Sequence, residues 1–272
     1  MSSVLLRKIG DASVPVIGFG AMGTSFCYDA VGSEEERFKA SSDVILEDAI
    51  PFSWRIPMGT SRGDPEYVKG RCYASLKRLG VDHIDLYYQH QVDPDTPIEK
   101  TVEAMAELEK SNTLVSQNCT TSGLRRANAI HPIAALQIEY SPFILDVEKL
   151  PLELIQTARE LGVKIVAYSP RRWPVQGKEF SVVDRIGEVA KRYDATPGQA
   201  VLAWILAQGE DFFVILGTKK IKYLEEENLK AASPKLTSEE IEEIRQIAEE
   251  TEIPGERYDP RALEANMSRA QH

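Results

Sequence analysis

The sequence predicts an α/β fold on a curved parallel sheet, of the (β/α)8 TIM-barrel type but incomplete. Three observations predict it. After Gly80, short apolar and aromatic runs alternate with helical patterns, as in parallel strands joined by right-handed crossover helices. Five such runs follow Gly80, and Ile17-Gly-Phe-Gly20 adds one at the N-terminus, so fewer than eight strands are in sight. The runs also end on polar residues, and in parallel α/β folds the carboxyl ends of strands face the site. A chain of 272 residues suits one domain over 1–272, with a polar tail at 251–272.

Each element has a local reason. Leu5-Leu-Arg-Lys-Ile9 and Val14-Pro-Val-Ile read as a hairpin turning at Gly10-Asp11. Ser33-Glu-Glu-Glu36 reads as a helix start. Residues 40–63 hold two prolines, turn composition at the end and no clean period, apart from a short strand signal near Ser53–Ile56. Asp64-Pro65 opens a helix with Val68, Cys72, Leu76 and Leu79 on one face, closed by Gly80. Ile84-Asp-Leu-Tyr-Tyr-Gln-His90 is a strand ending on a histidine. Thr96-Pro-Ile-Glu99 predicts a capping box for a helix packing through Ile98, Val102, Met105 and Leu108.

Beyond it, strands are predicted at 114–119, 133–140, 163–168 and 212–216, with helices between them at 124–130, 152–161, 181–193 and from Thr196. Leu236-Thr-Ser-Glu-Glu-Ile241 combines a capping box with a hydrophobic staple, so a final helix starts there.

The formal net charge is -10 and no basic run occurs, which argues against nucleic acid and anionic membrane as partners. No apolar run approaches the roughly 20 residues of a membrane helix, and the N-terminus lacks a signal-type apolar core. Cys27, Cys72 and Cys119 have no metal-ligand spacing and read as reduced thiols, so a cytoplasmic protein without a metal is expected.

The strand ends supply His90, Asn118, Gln137, Tyr168 and Gly217-Thr218-Lys219. A side-chain amide at Asn118 or Gln137 can read a carboxamide through a donor and an acceptor together. Tyr168 offers a flat face to a ring. Lys219 beside a helix start can hold a phosphate, with Lys220 and Lys222 adding charge. His90 can orient or donate to a carbonyl. Singly, each has an ordinary alternative: a strand-end cap for Gln137, core for Tyr168, solvated surface for the lysines.

The motifs Arg7-Lys-Ile-Gly10, Ile17-Gly-Phe-Gly-Ala-Met-Gly23, Ser75-Leu-Lys-Arg-Leu-Gly80, the 84–90 strand, Gln137-Ile-Glu-Tyr-Ser-Pro142, Val166-Ala-Tyr-Ser-Pro170 and Gly217–Asn228 occur in one order. In that order the sequence resembles the aldo-keto reductase superfamily, in its microbial and plant NADP-dependent branch. The resemblance implies an oxidoreductase that reduces an aldehyde or ketone, a small-molecule carbonyl substrate, with NADP(H). It implies that His90 positions the carbonyl and that Asn118 and Gln137 hold the nicotinamide carboxamide. It further implies that Tyr168 stacks on the nicotinamide, Lys219 meets the 2′-phosphate within Gly217-Thr218-Lys219-Lys220, and Asn228 lies at the adenine.

The sequence also departs from the family pattern. The family's Asp and Tyr on and after its second strand, and the Lys ending its third, have no counterpart, and residues 40–63 stand in that place. The second and third β/α units are expected to be degenerate or absent, leaving the catalytic tetrad incomplete. The alternative expectation is a catalytically impaired relative: a pseudoenzyme, a binding or scaffold protein, or a rearranged gene product. An open barrel leaves strand edges uncovered, so self-association is expected.

Overall fold

The computed structural model describes residues 5–20, 62–108, 112–116, 119–149, 152–170, 180–217 and 234–250. The expectations for residues 21–61, including the helix start at Ser33 and the missing β/α units, lie outside them. So does the tail at 251–272.

The described chain falls into two compact units. The first begins with strands β1 (Leu6–Ile9) and β2 (Ala12–Pro15), an antiparallel hairpin, followed by β3 (Ile17–Phe19). Its turn is closed by Gly10 at φ 56°, a left-handed conformation that glycine adopts without strain. The unit continues with β7 (Lys164–Tyr168) and β8 (Phe212–Leu216), and β3, β8 and β7 are neighbours in that order, all parallel. Arg7 locks the hairpin by donating to the carbonyls of Leu206, Gly209 and Phe212 at 3.1, 2.9 and 2.7 Å.

The second unit holds α1 (Pro65–Leu79), β4 (Leu86–Gln89), α2 (Ile98–Ala106), β5 (Asn112–Ser116), α3 (Thr121–Ile130), β6 (Ile133–Glu139) as far as Gln137, and α4 (Leu154–Glu160). Its strands run β4, β5, β6, again parallel. Among the described residues there are thus six parallel strands, short of the eight of a full barrel.

α1 forms where its local signals place it. The Asp64 carboxylate accepts from the Tyr67 N–H, Pro65 occupies the first turn, and Gly80 ends the helix in the left-handed region at φ 69°. Its buried Val68 and Cys72 pack with Tyr87 of β4 and with Ala104 and Met105 of α2. Full burial of side chains of this kind contributes roughly 1.5–3 kcal/mol each.

The start of α2 differs from the capping-box prediction. The helix begins at Ile98, behind Pro97, with no side-chain cap. The Thr96 hydroxyl donates instead to Asp93 Oδ2 at 2.7 Å, so it is engaged before it can cap. β4 is shorter than predicted, and β5 lies two residues earlier, at 112–116 rather than 114–119.

In the first unit, α5 (Phe180–Lys191), α6 (Pro197–Ala207) and α7 (Ser238–Glu249) pack on one another. α6 and α7 each start with a complete capping box, Thr196/Gln199 and Thr237/Glu240. α6 is buried on nearly every face, and its Trp204 donates its indole N–H to the Ile241 carbonyl at 2.9 Å. No described helix is long and apolar enough to cross a membrane.

Candidate active site

In the second unit the carboxyl ends of β4 and β5 come level with Gln137, two residues before the end of β6. Gln89 pairs with Val115, and Ser116 with Gln137. His90, one residue past Gln89, therefore lies at the height of Gln137, and both are partly buried. Burial holds the His90 pKa below the ordinary histidine value, so its neutral imidazole is favoured. A neutral ring still carries one N–H and can donate one hydrogen bond. Asn118, two residues beyond Ser116, lies outside the described residues.

Three residues past His90, Asp93 centres a polar knot that the sequence did not single out. Asp93, 5% exposed, accepts from the Gly63 N–H at 2.8 Å, the Thr96 hydroxyl at 2.7 Å and the Asp95 N–H at 2.9 Å. The Thr101 hydroxyl donates to the Gly63 carbonyl at 2.7 Å. Gly63 has no room for a side chain: a Cβ there would lie 2.6 Å from Thr101 Oγ1 and 3.1 Å from both Asp93 Cβ and Gln89 Nε2. The one sequence signal was Asp93-Pro94, a turn-forming pair in which the Asp bonds the backbone two residues on. Gln89 itself is buried, and its amide nitrogen and oxygen make no hydrogen bond.

In the first unit the ends of β3, β8 and β7 supply Gly20, Gly217 and Tyr168. The Gly20 N–H donates to the Leu216 carbonyl at 2.8 Å. A Cβ on Gly217 would lie 3.3 Å from the Gly20 carbonyl oxygen. Two bare backbones therefore lie side by side at these strand ends, and Gly217 is exposed. Tyr168 is partly buried at the end of β7, and Ser169 behind it adopts φ 50°. A left-handed non-glycine residue is strained, and such strain concentrates at functional sites. Thr218, Lys219, Lys220 and Asn228 lie outside the described residues. The structure thus brings His90 level with Gln137, and Tyr168 into the same strand-end set as Gly217. Among the described residues no cluster of His, Cys, Asp and Glu could hold a metal ion.

Comparison with known proteins gives the family. The Aldo/keto reductase family model matches residues 52–249. The aldo-keto reductase Str7 of Strobilurus tenacellus is 45% identical, over 92% of this chain and 94% of its own length. The aldo-keto reductase Yakc [NADP(+)] of Schizosaccharomyces pombe is 33% identical, over 96% of each. These alignments run over 320 and 327 residues, longer than the chain itself, so both relatives carry segments that this chain lacks.

Solved structures agree at the level of fold. A thermostable aldo-keto reductase in complex with epalrestat superposes with a TM-score of 0.72 at 24% identity, covering 89% of this chain and 99% of that one. The aldose reductase of Giardia lamblia gives 0.58 at 19% identity, over 72% and 71%. Aldo-keto reductases use NADP(H) and act on small carbonyl substrates. On the family match and the near full-length relatives, this chain belongs to the aldo/keto reductase family.

Proposed function

We propose that this chain is an NADP(H)-dependent oxidoreductase that reduces an aldehyde or ketone to an alcohol, with His90 as its surviving catalytic side chain. The observation that carries this is His90 itself: a histidine at a strand's carboxyl end, level with Gln137, its pKa lowered by burial. The residues present fit the cofactor. The adjoining bare backbones of Gly20 and Gly217 form a cradle that a Cβ would fill, as suits close approach by a phosphate group. Gln137, with Asn118, would hold the carboxamide, and Tyr168 would stack on the ring. Lys219, with Thr218 and Lys220, would meet the 2′-phosphate, and Asn228 the adenine.

NADPH, when bound, supplies the hydride. His90 would donate its ring N–H to the substrate's carbonyl oxygen, orienting it and drawing charge from the carbonyl carbon, and the alkoxide left by hydride transfer would take its proton from solvent. Without the family's Tyr and Lys the general acid is lost, which typically costs about 10²–10⁴-fold in rate. The reading therefore includes slow turnover. The relatives' extra length, taken with the missing Asp, Tyr and Lys, also supports the second reading, a catalytically impaired relative that binds nucleotide without turning over.

The same reading holds the chain to be a single barrel-like domain in the cytoplasm, with a role in secondary-metabolite biosynthesis. It also holds that the chain self-associates. Among the described residues β4 ends its strand order, and an unpaired strand edge invites a partner.

Two measurements test the proposal. Nicotinamide fluorescence on adding protein reads binding, and Lys219→Ala should weaken NADPH more than NADH. Equal weakening of both would reject the 2′-phosphate assignment. Aldehyde-dependent NADPH oxidation reads turnover. A rate that His90→Ala abolishes supports the enzyme, binding with no turnover supports the impaired relative, and turnover that survives His90→Ala rejects the role of His90.

A further inference from the structure

We infer that Asp93 is the positioning residue for His90, acting through the polar knot at the foot of α1. The inference rests on the proposed role of His90 and adds a residue that family resemblance did not mark.

His90 sits between two fixed points. On its N-terminal side β4 is hydrogen-bonded to β5. On its C-terminal side seven residues separate His90 from α2, whose start has no side-chain cap. Asp93 lies within that segment and anchors it. One oxygen, Oδ2, accepts from both the Gly63 N–H and the Thr96 hydroxyl, and the other, Oδ1, accepts from the Asp95 N–H.

Gly63 is in turn tied to α2 by the Thr101 hydroxyl. The carboxylate thus joins the mouth of α1, the loop after His90 and the first turn of α2. Three charge-assisted bonds to one buried group hold a loop more tightly than neutral bonds of the same number. A displacement of about 1 Å at a reacting group can cost on the order of 100-fold in rate, so a tether three residues away is close enough to matter.

The test compares Asp93→Asn, the milder Thr96→Val and Arg245→Met. The last removes a stabilising contact in the other unit and serves as a stability-matched control. Histidine ring NMR reads His90 directly, with its signal assigned by its loss in His90→Ala. Asp93→Asn should change the His90 ring shift and move its titration midpoint up toward the ordinary value of about 6.5, as the ring loses its burial. Thr96→Val should move both in the same direction by less, and serves as the readout if Asp93→Asn does not fold. Arg245→Met should lower the melting temperature without moving either.

Where turnover is measurable, Asp93→Asn should lower kcat by about 10- to 100-fold. A His90 signal that is the same in Asp93→Asn, or in Thr96→Val alone if that is the only folded variant, overturns the inference. His90→Ala that leaves turnover intact overturns the role of His90 while leaving the NMR test of the tether standing.

Discussion

Arg245 grips Glu148 with both of its terminal nitrogens, at 2.8 and 3.2 Å, while its guanidinium lies 5.2 Å from the centre of the Trp204 ring. Tyr140, fully buried and stacked on Trp204, donates its hydroxyl to the same Glu148. One carboxylate thereby ties α7 to the segment that follows β6.

Removing Arg245 should therefore cost more than a surface ion pair would. Both side chains are about three-quarters covered, at 23% and 25% exposure, so solvent screens them only in part. Arg245→Met is expected to lower the unfolding free energy by about 2–3 kcal/mol, because Glu148 loses two charge-assisted bonds in a partly buried place. Urea denaturation checks this, and a loss no larger than that of an exposed pair would sink it.

The same carboxylate gives an acid limit to stability. Burial pushes the Glu148 pKa up, but the bonds from Arg245 and Tyr140, with the nearby charges of Arg245 and Lys149, outweigh it and hold the group below the usual carboxylate range. A depressed folded pKa means a contribution fully present above the unfolded value, about 4.3, and lost as pH falls through the folded one. Melting temperatures from pH 6 down to 2 should fall less steeply in Glu148→Gln than in the native chain. Parallel curves would refute the assignment.

His90 runs the other way. Its folded pKa is lowered by burial, so the unfolded chain binds the proton more readily and stability rises with pH up to about 6.5. The NMR midpoint of His90 should lie below 6.5. A reaction that used its imidazolium would accordingly lose rate at a lower pH than an ordinary histidine implies. A midpoint at or above 6.5 would contradict the burial seen here.

Gly63→Ala should be destabilising by about 1–3 kcal/mol, the usual range for overpacking. The added methyl meets the Thr101 hydroxyl first, at 2.6 Å. Thr101→Ala in the same chain should recover part of the loss, so the double variant costs less than the two single changes together. Strict additivity in calorimetry would argue against the contact.

Gln89 offers a stabilising change. Its amide atoms are buried without a hydrogen bond, and such a group forfeits its hydration for nothing in return. Gln89→Met, of similar length, should raise the denaturation midpoint by the equivalent of about 1 kcal/mol. A lowered midpoint would show that the amide is engaged in solution.

α1 was legible in the sequence because Asp64, Pro65 and Gly80 each act within one turn of their own position. α2 was misread at its start because the rival for the Thr96 hydroxyl, Asp93, lies outside the capping pattern. His90, Tyr168 and Gly217 could be placed at strand ends because the β/α alternation after Gly80 fixes which end of each strand they occupy, whereas β6 runs two residues past Gln137, to Glu139. The knot could not be read in the same way. Gly63 and Thr101 are 38 residues apart, and nothing local to either announces the other. The φ of Ser169 was hidden for a similar reason, since serine carries no propensity for that conformation.

The lock between the N-terminal hairpin and β8 sets an order for synthesis. Arg7 bonds to carbonyls 199–205 residues further along, and β3 finds its neighbour only in β8. At about 5–20 residues per second on the ribosome, β3 and the Arg7 side chain wait on the order of 10–40 s for their partners to emerge. Throughout that interval β3 has no sheet to join.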